Sequence, residues 1–367
     1  MQKIAKPLVR TGAARTVLAG RRAHRLFIKW FPHDTRNDVI AAAIGASSHY
    51  IHFGRNYSVI TAPVRYVVQM LSTWLLLWRH RPAVVFVTSP PIFAPLTVWL
   101  YTAATGASFI MDCHSGVFDR KWRFVAGLHR FVAKRACMVM VTNSVHAAVY
   151  RQWGARPFIL GDLMPPVPTL ADHGRAGCFT VVVACSFALD EPIGEILAAA
   201  AITPSVQFLI TGNHLKDTRL RGVKVAANVQ FTGFLEKSEY LAVLQRADAV
   251  MALTTRDHTM QNAAYEALAL RKPMVLSDWQ VLRATYKGAA AYAKNTPEGI
   301  AQAVSQVVSQ RAVYAAAVSQ VYEERQKLWM AKSAALRQFL DQFDEPASPQ
   351  GAVLRATQIL CEQTFDR

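Results

Sequence analysis

The chain has 367 residues and is 52% hydrophobic, enough apolar surface for two packed domains of ordinary size. No apolar run reaches the ~18 residues that a membrane-spanning helix needs, so we expect no such helix. The five cysteines are odd in number and scattered without a metal-ligand spacing, which predicts a reducing compartment and no structural zinc.

The charge is concentrated in one half. Residues 1–167 contain 21 Lys and Arg against 5 Asp and Glu, a balance of +16, whereas residues 168–367 contain 20 and 19, a balance of +1. Such an asymmetry indicates an anionic partner for the first half: nucleic acid, anionic lipid or a phosphorylated substrate.

Residues 1–25 form a basic arm with seven Lys and Arg and no acid. The arm has no apolar core of signal-peptide length, so we do not expect export. An organelle transit peptide shares this composition and stays open. A basic arm that is disordered or lies at a membrane interface is the preferred interpretation.

The first half alternates short apolar runs with helical segments, which predicts a parallel sheet with crossover helices. Strands are predicted at 26–30, 49–53, 83–87, 108–111 and 138–141, and helices at 37–44, 64–79, around 96–100 and within 120–135. The helix at 64–79 is broadly apolar and ends in a basic cluster. It belongs either to the core or to a membrane surface. We favour the core, because a buried strand follows it at once.

A segment rich in Pro, Gly and polar residues at 162–177 is the predicted linker, after which the alternation restarts. We therefore expect two α/β domains, at 26–165 and 166–345, between the arm 1–25 and a tail at 346–367. Strands are predicted at 179–184, 207–210, 229–231, 249–253, 274–276 and 290–293. Helices are predicted at 193–200, 238–246, 259–270, 281–286, 297–308 and 312–343.

Residues 251–278 read as strand, polar loop, helix, turn and strand, with Thr259 as the predicted N-cap and Glu266 as a lone carboxylate in an apolar helix. In parallel sheets, ligands bind at the carboxyl ends of the strands, where such helices begin. A helix N-terminus there can bind a phosphate. An ordinary βαβ unit with a solvated Glu remains the alternative.

Two stretches of the second half resemble GT-B glycosyltransferases. Residues 228–235 (NVQFTGFL) and 264–275 (AYEALALRKPMV) are similar to motifs of the donor domain in that family. The resemblance implies an α/β GT-B fold, in which two Rossmann-like domains face each other across a cleft and a C-terminal helix crosses back to the first domain. It also implies that Glu266 holds the donor ribose. The other predicted donor-side residues are Gly212, Asn213, Lys216, Gly233, Phe234, Arg256, His258, Met260 and Gln261.

The first half narrows the resemblance. Residues 88–91 (TSPP) followed by 110–114 (IMDCH) are similar to the pattern of mannosyltransferases that elongate lipid-linked chitobiose. Xanthan-type glucuronosyltransferases share this general plan, and family 4 glycosyltransferases resemble it more distantly. The narrower resemblance implies an inverting enzyme with a membrane-bound pyrophosphate-lipid acceptor. His258 replaces the first of two Glu found in retaining relatives; a retaining enzyme with this altered motif stays the alternative.

An inverting transfer needs a general base for the acceptor hydroxyl. Asp112 and His114 lie at the end of a predicted strand, and Asp119 follows a few residues later. All three are candidate bases. His33, Asp34 and Arg36 follow the first strand and are predicted to line the acceptor side.

No Asp-x-Asp metal motif stands out, so we expect no bound metal and no cofactor, the nucleotide-sugar being a co-substrate. The absence of a GxGxxG motif argues against a dehydrogenase.

The sequence thus predicts a hexosyl- or glucuronosyltransferase that moves a sugar from UDP or GDP to a lipid-linked or polysaccharide-precursor acceptor. We expect it to be cytoplasmic and peripheral on the inner face of an anionic membrane. A basic nucleic-acid-binding protein is the alternative of another class, although no nucleic-acid motif supports it and no nucleic acid is expected. A GT-B scaffold without activity also stays open, because of His258.

Overall fold

The computed structural model describes residues 25–33, 35–53, 60–163, 177–341 and 343. Asp34, the tail and most of the arm and the linker therefore lie outside the described residues, and the predictions made for them stay predictions.

The first half forms a six-stranded sheet in which all neighbouring strands are parallel, in the order β2-β1-β3-β4-β5-β6. The central strands are apolar runs buried on both faces, as parallel sheets covered by helices require. The strands are β1 (Arg25–Lys29), β2 (Ser47–Tyr50), β3 (Val84–Ser89), β4 (Ser108–Cys113), β5 (Met138–Val141) and β6 (Pro157–Ile159).

Five helices connect these strands. Gly45 and Gly106 follow two of the helices with positive φ angles of 67° and 75°, a conformation that glycine adopts without strain. The helices are α1 (Thr35–Ile44), α2 (Ala62–His80), α3 (Phe93–Thr105), α4 (Ala126–Ala133) and α5 (Ser144–Gln152). Helix α5 and strand β6 were not predicted from the sequence.

The second half repeats the plan with a second parallel sheet in the order β12-β11-β10-β7-β8-β9. Two Rossmann-like sheets with covering helices make up the predicted GT-B fold, which is confirmed. The strands are β7 (Phe179–Val183), β8 (Val206–Thr211), β9 (Val229–Gly233), β10 (Ala249–Ala252), β11 (Met274–Ser277) and β12 (Ala290–Ala293).

The helix that carries Glu266 begins later than the sequence predicts. It is α8 (Asn262–Ala269), with Gln261 as its N-cap, so the prediction of Thr259 was wrong. The Gln261 amide donates to the Leu253 carbonyl (2.9 Å), which holds the preceding loop against the end of β10. The other helices are α6 (Ile193–Ala201), α7 (Lys237–Arg246), α9 (Gln280–Tyr286), α10 (Pro297–Ser309) and α11 (Arg311–Asp341).

Helix α2 is oriented with its apolar side outward. Its buried residues are Gln69, Thr73 and Leu77, and the two polar ones are bonded to the Ile51 carbonyl and to the Trp30 indole. The preference for a core helix was therefore wrong for most of its apolar side chains, which are exposed. No helix within the described ranges has the length and apolarity to cross a membrane.

The long helix α11 contacts both domains. Val318, Val321 and Tyr322 pack in the core of the second domain. Leu336, Phe339 and Leu340 complete a core of the first domain, beside the buried face of α1. The predicted crossing of the C-terminal helix back to the first domain is confirmed.

Candidate functional site

In each sheet, strands are first added on one side and then on the other, so the strand order reverses at one point. Ligands of α/β proteins bind beside such points. In the first sheet the change lies between β1 and β3, and in the second between β7 and β10. Cavities open at the carboxyl ends of the strands in both domains.

The first cavity, of about 800 Å³, lies in the second domain. Its walls come from the ends of β7, β8 and β9 and from the start of α8. Six of the predicted donor-side residues line it: Gly212, Asn213, Lys216, Phe234, Gln261 and Glu266. Gly233 lies directly before Phe234 at the end of β9.

Glu266 lies on the wall of this cavity and accepts a hydrogen bond from the Tyr240 hydroxyl (2.9 Å). Burial raises the pKa of Glu266, although the Tyr240 hydrogen bond and the charge of Lys237 oppose the shift. Burial and the Glu266 carboxylate together raise the pKa of Tyr240. Tyr240 was not predicted, because it lies on α7, 26 residues earlier in the chain.

Gly212 allows two backbone segments to approach each other at the base of the first cavity. Its φ angle is +96°, and a Cβ atom there would lie 2.2 Å from the Cys185 carbonyl oxygen. The loop opposite is held by the Glu191 carboxylate, which accepts from the Ser186 and Ala188 amides (3.0 and 2.8 Å). Glycine is therefore required where β8 meets the loop after β7.

The second cavity, of about 450 Å³, lies between the domains. Three residues of the first domain line it: His33 and Arg36, which were predicted for the acceptor side, and His114, a candidate base. Asn262 and Glu266 line both cavities, so the two spaces meet at the start of α8. Several other lining residues were not predicted from the sequence: Lys29, Asp162, Lys237 and Tyr265.

A buried network supports His114 in this cavity. Asp112 is 0% exposed and accepts from Arg36 Nη2 (2.9 Å), while its other oxygen lies 3.1 Å from His114 Nε2. Arg36 also pairs with Asp162 and donates to the Leu160 carbonyl. Burial alone would raise the pKa of Asp112, but the charges and hydrogen bonds of Arg36 and His114 outweigh it and hold that pKa well below its usual range. Asp112 stays ionised, and its carboxylate does not reach the cavity.

Lys29 adds a partly buried cation at the end of β1. Burial lowers its pKa to about 8, despite the opposing charge of Asp112. Nearby, Lys237 of the second domain donates to the Thr35 hydroxyl (2.7 Å), a contact between the domains. The second cavity therefore brings together cationic groups from both domains.

Besides Asp112 and Gly233, four predicted residues lie outside both cavities: Asp119, Arg256, His258 and Met260. Asp119 pairs with Arg256 across the domains (2.7 Å). The His258 ring contacts the rings of Phe118 and His146, and its carbonyl accepts from Asn143. Met260 is buried in the second core. These residues contact the other domain or a core, and their predicted roles stay predictions. Loop side chains follow no period that would have revealed their direction.

A third cavity, of about 280 Å³, is mostly apolar and lies in the first domain. Pro90, Val117, Phe118 and Trp122 line it, together with the buried His129, whose pKa burial lowers to about 4. Across the described part of the chain, no three His, Cys, Asp or Glu side chains are grouped as a metal site would require.

Comparison with known proteins was consistent with this geometry. Residues 170–310 match the family model described as glycosyl transferases group 1. No curated protein matches the chain in sequence.

Solved structures resemble the chain over most of its length. Sucrose-phosphate synthase from Thermosynechococcus elongatus is 14% identical, with a TM-score of 0.70 over 87% of this chain and 98% of that one. HepE from Anabaena, in complex with UDP and glucose, is 12% identical, with a TM-score of 0.66 over 87% and 99%. The lipopolysaccharide outer core galactosyltransferase WaaB is 13% identical, with a TM-score of 0.59 over 86% and 99%. The chain thus has the GT-B fold, and residues 170–310 are similar to the group 1 glycosyl transferases.

Proposed function

We propose that the protein transfers a sugar from a nucleotide-sugar to an acceptor hydroxyl. The donor, UDP- or GDP-linked, binds in the first cavity, and the acceptor binds in the second. The meeting of the two cavities at Asn262 and Glu266 carries the proposal, because a transferred sugar must reach both substrates. The group 1 match and the UDP complex of the HepE structure support the donor class.

In the donor site, Glu266 accepts hydrogen bonds from the ribose hydroxyls, and Tyr240 orients its carboxylate. The start of α8 presents backbone N–H groups to the diphosphate, with the positive end of the helix dipole behind them. Lys216 adds a positive charge on the opposite wall of the cavity. These groups stabilise the leaving nucleoside diphosphate as its charge develops.

In the acceptor site, His114 is the general base. Its ring is 29% exposed to the second cavity, while Asp112 behind it holds the ring and stabilises the imidazolium that forms. A base that activates the acceptor directly gives transfer with inversion. Asp112 is then a positioning residue, and Asp119 has no role in the proton transfer.

We propose that the acceptor is lipid-linked or a polysaccharide precursor, and that the transferred group is a hexosyl or glucuronosyl unit. The protein would work in the cytoplasm, peripheral on the inner face of an anionic membrane. The charge balance of +16 in residues 1–167 supports an anionic surface, and the cations of the second cavity support an anionic acceptor.

The first test is nucleotide binding. UDP, GDP and their sugars should be screened for thermal stabilisation of the wild-type protein and of Glu266→Gln. Loss of a charged hydrogen-bond acceptor should weaken the binding of the preferred nucleotide about tenfold or more. Glu298→Gln, an exposed substitution in the same domain, is the matched control.

An unchanged affinity in Glu266→Gln would overturn the ribose assignment, and no stabilisation by any nucleotide would favour a scaffold without activity. With the preferred donor and an acceptor, NMR of the product should show an inverted anomeric centre. Retention would remove His114 as the base.

A further inference from the structure

A stripe of apolar side chains runs along the outer side of α2. Val64, Val67, Leu71, Trp74, Leu75 and Trp78 are all exposed, and Leu75 is 73% exposed. Their spacing of three or four residues places them on one side of the helix. The opposite side packs on the first domain through the buried Gln69, Thr73 and Leu77, with Tyr66, Met70 and Leu76 partly buried against the core. The outward position of the apolar stripe is unusual, because an amphipathic surface helix normally turns its apolar side inward.

The stripe continues across the neighbouring helices. Trp78 contacts Tyr101 of α3 edge-to-face (5.5 Å between ring centroids), and Trp99 of α3 contacts Phe131 of α4 in the same way (5.1 Å). Leu100, Phe124 and Phe131 are exposed there. We call the exposed side chains of α2, α3 and residues 120–135 the α2 face. Its apolar side chains are grouped together, whereas the exposed apolar side chains of a soluble surface are normally scattered singly.

The charges around the α2 face are all positive. Helices α2 and α3 and residues 120–135 contain no Asp or Glu. Arg79 lies on α2 itself, Arg130, Lys134 and Arg135 lie within residues 120–135, and the Arg135 guanidinium lies over the Trp99 ring. The Arg135 guanidinium lies 3.5 Å from the centre of the Phe131 ring, so charged and aromatic groups occur side by side.

We propose that the α2 face inserts into the surface of an anionic lipid leaflet, with α2 parallel to the membrane. Apolar side chains enter the boundary between head groups and acyl chains, and the surrounding cations meet the lipid phosphates. This inference deepens the membrane part of the proposed function. It assigns the binding to apolar insertion of α2 rather than to electrostatic attraction of the arm 1–25.

Charge complementarity favours lipid over the other occupants. The arm 1–25 carries seven Lys and Arg and no acid, so it would be repelled by the cations around the α2 face. A second copy of the chain would bring an identical set of positive charges to the same place. An anionic leaflet satisfies both the apolar stripe and the cations.

The test uses the full chain, without any sugar donor, and vesicles of phosphatidylcholine with or without phosphatidylglycerol. The wild-type protein should sediment with the mixed vesicles, and part of this binding should persist at high salt. The pair Leu71→Ser and Leu75→Ser should reduce partitioning about tenfold or more, since two exposed leucines lose their insertion. The pair Val313→Ser and Leu328→Ser, equally exposed on α11, is the matched control and should bind normally.

Insertion itself has a separate readout. Brominated lipids should quench tryptophan fluorescence in the wild-type protein, and Trp74→Phe with Trp78→Phe should remove most of that quenching. Unchanged vesicle binding in the Leu71/Leu75 variant would overturn the proposal. The proposal would also be overturned if binding were lost only when Lys3, Lys6, Arg10 and Arg15 are replaced by Gln. A dimer that forms without lipid and that the leucine substitutions dissociate would overturn it as well. None of these readouts depends on sugar transfer.

Discussion

At the scale of single residues, the site depends on one buried ion pair. Arg36 and Asp112 neutralise each other in the interior, and Arg36 also contacts Asp162. Oδ2 of Asp112 is shared between Arg36 Nε (3.4 Å) and His114 Nε2 (3.1 Å). A carboxylate held in this way can orient and stabilise a histidine, but cannot itself take the proton of a substrate hydroxyl. The sequence placed Asp112 and His114 together but did not show which of them reaches the cavity, because burial is not visible in their spacing.

The first prediction at this scale concerns the base. His114→Ala should reduce turnover about 10²- to 10⁴-fold, with little change in thermal stability, because the ring is partly exposed. His33→Ala, which removes another exposed ring from the same cavity, is the control and should affect acceptor KM more than kcat. Equal turnover in His114→Ala and the wild-type protein would place the base elsewhere.

Asp112→Asn separates positioning from structure. The change leaves the buried Arg36 with a weaker set of partners, so the free energy of unfolding should fall by about 3–5 kcal/mol. Turnover should fall as well, and its dependence on pH should change, because the asparagine cannot stabilise the charged histidine. A wild-type free energy of unfolding in urea would show that Asp162 alone compensates the buried charge of Arg36.

A further prediction concerns Lys29, whose pKa is lowered from 10.5 to about 8 by burial. Between these two values the unfolded chain binds a proton that the folded protein does not, so stability due to Lys29 rises with pH through this window. Relative to Lys29→Met, the wild-type free energy of unfolding should rise by about 2 kcal/mol between pH 7.5 and 9.5. Urea unfolding of both proteins from pH 7.5 to about 9.5 measures it. Parallel pH profiles would contradict the lowered pKa.

At the scale of elements, the alternation of strands and helices was predictable because buried parallel strands are short apolar runs. The orientation of α2 was not predictable, because the spacing of apolar residues shows a helical period but not which side of the helix meets the core. The Gln69 and Thr73 side could be buried since Ile51 and Trp30 supply hydrogen-bond partners. The start of α8 was misplaced because Thr259 is as good a capping residue by type as any nearby.

Gly212 gives the prediction at this scale. Gly212→Ala should lower stability by about 3 kcal/mol or more, since the new Cβ would meet the Cys185 carbonyl and φ is positive. It should also weaken nucleotide binding. Gly222→Ala has a φ of +73° and open space around it, so it should cost only about 1–2 kcal/mol and leave binding intact. Thermal unfolding with and without nucleotide measures both effects. Similar losses of stability in Gly212→Ala and Gly222→Ala would show that the close approach to the Cys185 carbonyl is not the cause.

At the scale of the whole molecule, two polar contacts join the domains across the cleft, and the packing of α11 joins them elsewhere. The bridges Arg256–Asp119 and Lys237–Thr35 are partly exposed and individually weak, so the domains can separate there. The apolar contacts of α11 with the first core are buried and far stronger. Of this arrangement the sequence predicted the crossing helix, but not the bridges, whose residues are more than 100 positions apart.

The prediction at this scale is Phe339→Ala. Removing this buried ring should cost about 3–5 kcal/mol, and the loss should fall on the first domain. The protein should unfold in urea at lower concentration when followed by tryptophan fluorescence, since six of its eight tryptophans lie before residue 160. Nucleotide binding by the second domain should persist. If Phe339→Ala abolishes nucleotide binding before any unfolding, α11 couples the domains more tightly than these contacts indicate.

The return of α11 also brings the two ends of the described fold together. Arg25 at the start of β1 forms an ion pair with Asp341 at the end of α11 (2.6 Å). This meeting point is at the amino edge of the first sheet, opposite the carboxyl edge where the second cavity opens. A label placed directly before Arg25 or directly after Asp341 would be attached there. Labels at these two positions would lie close together, and a fluorophore pair on the two would report unfolding without entering the cleft.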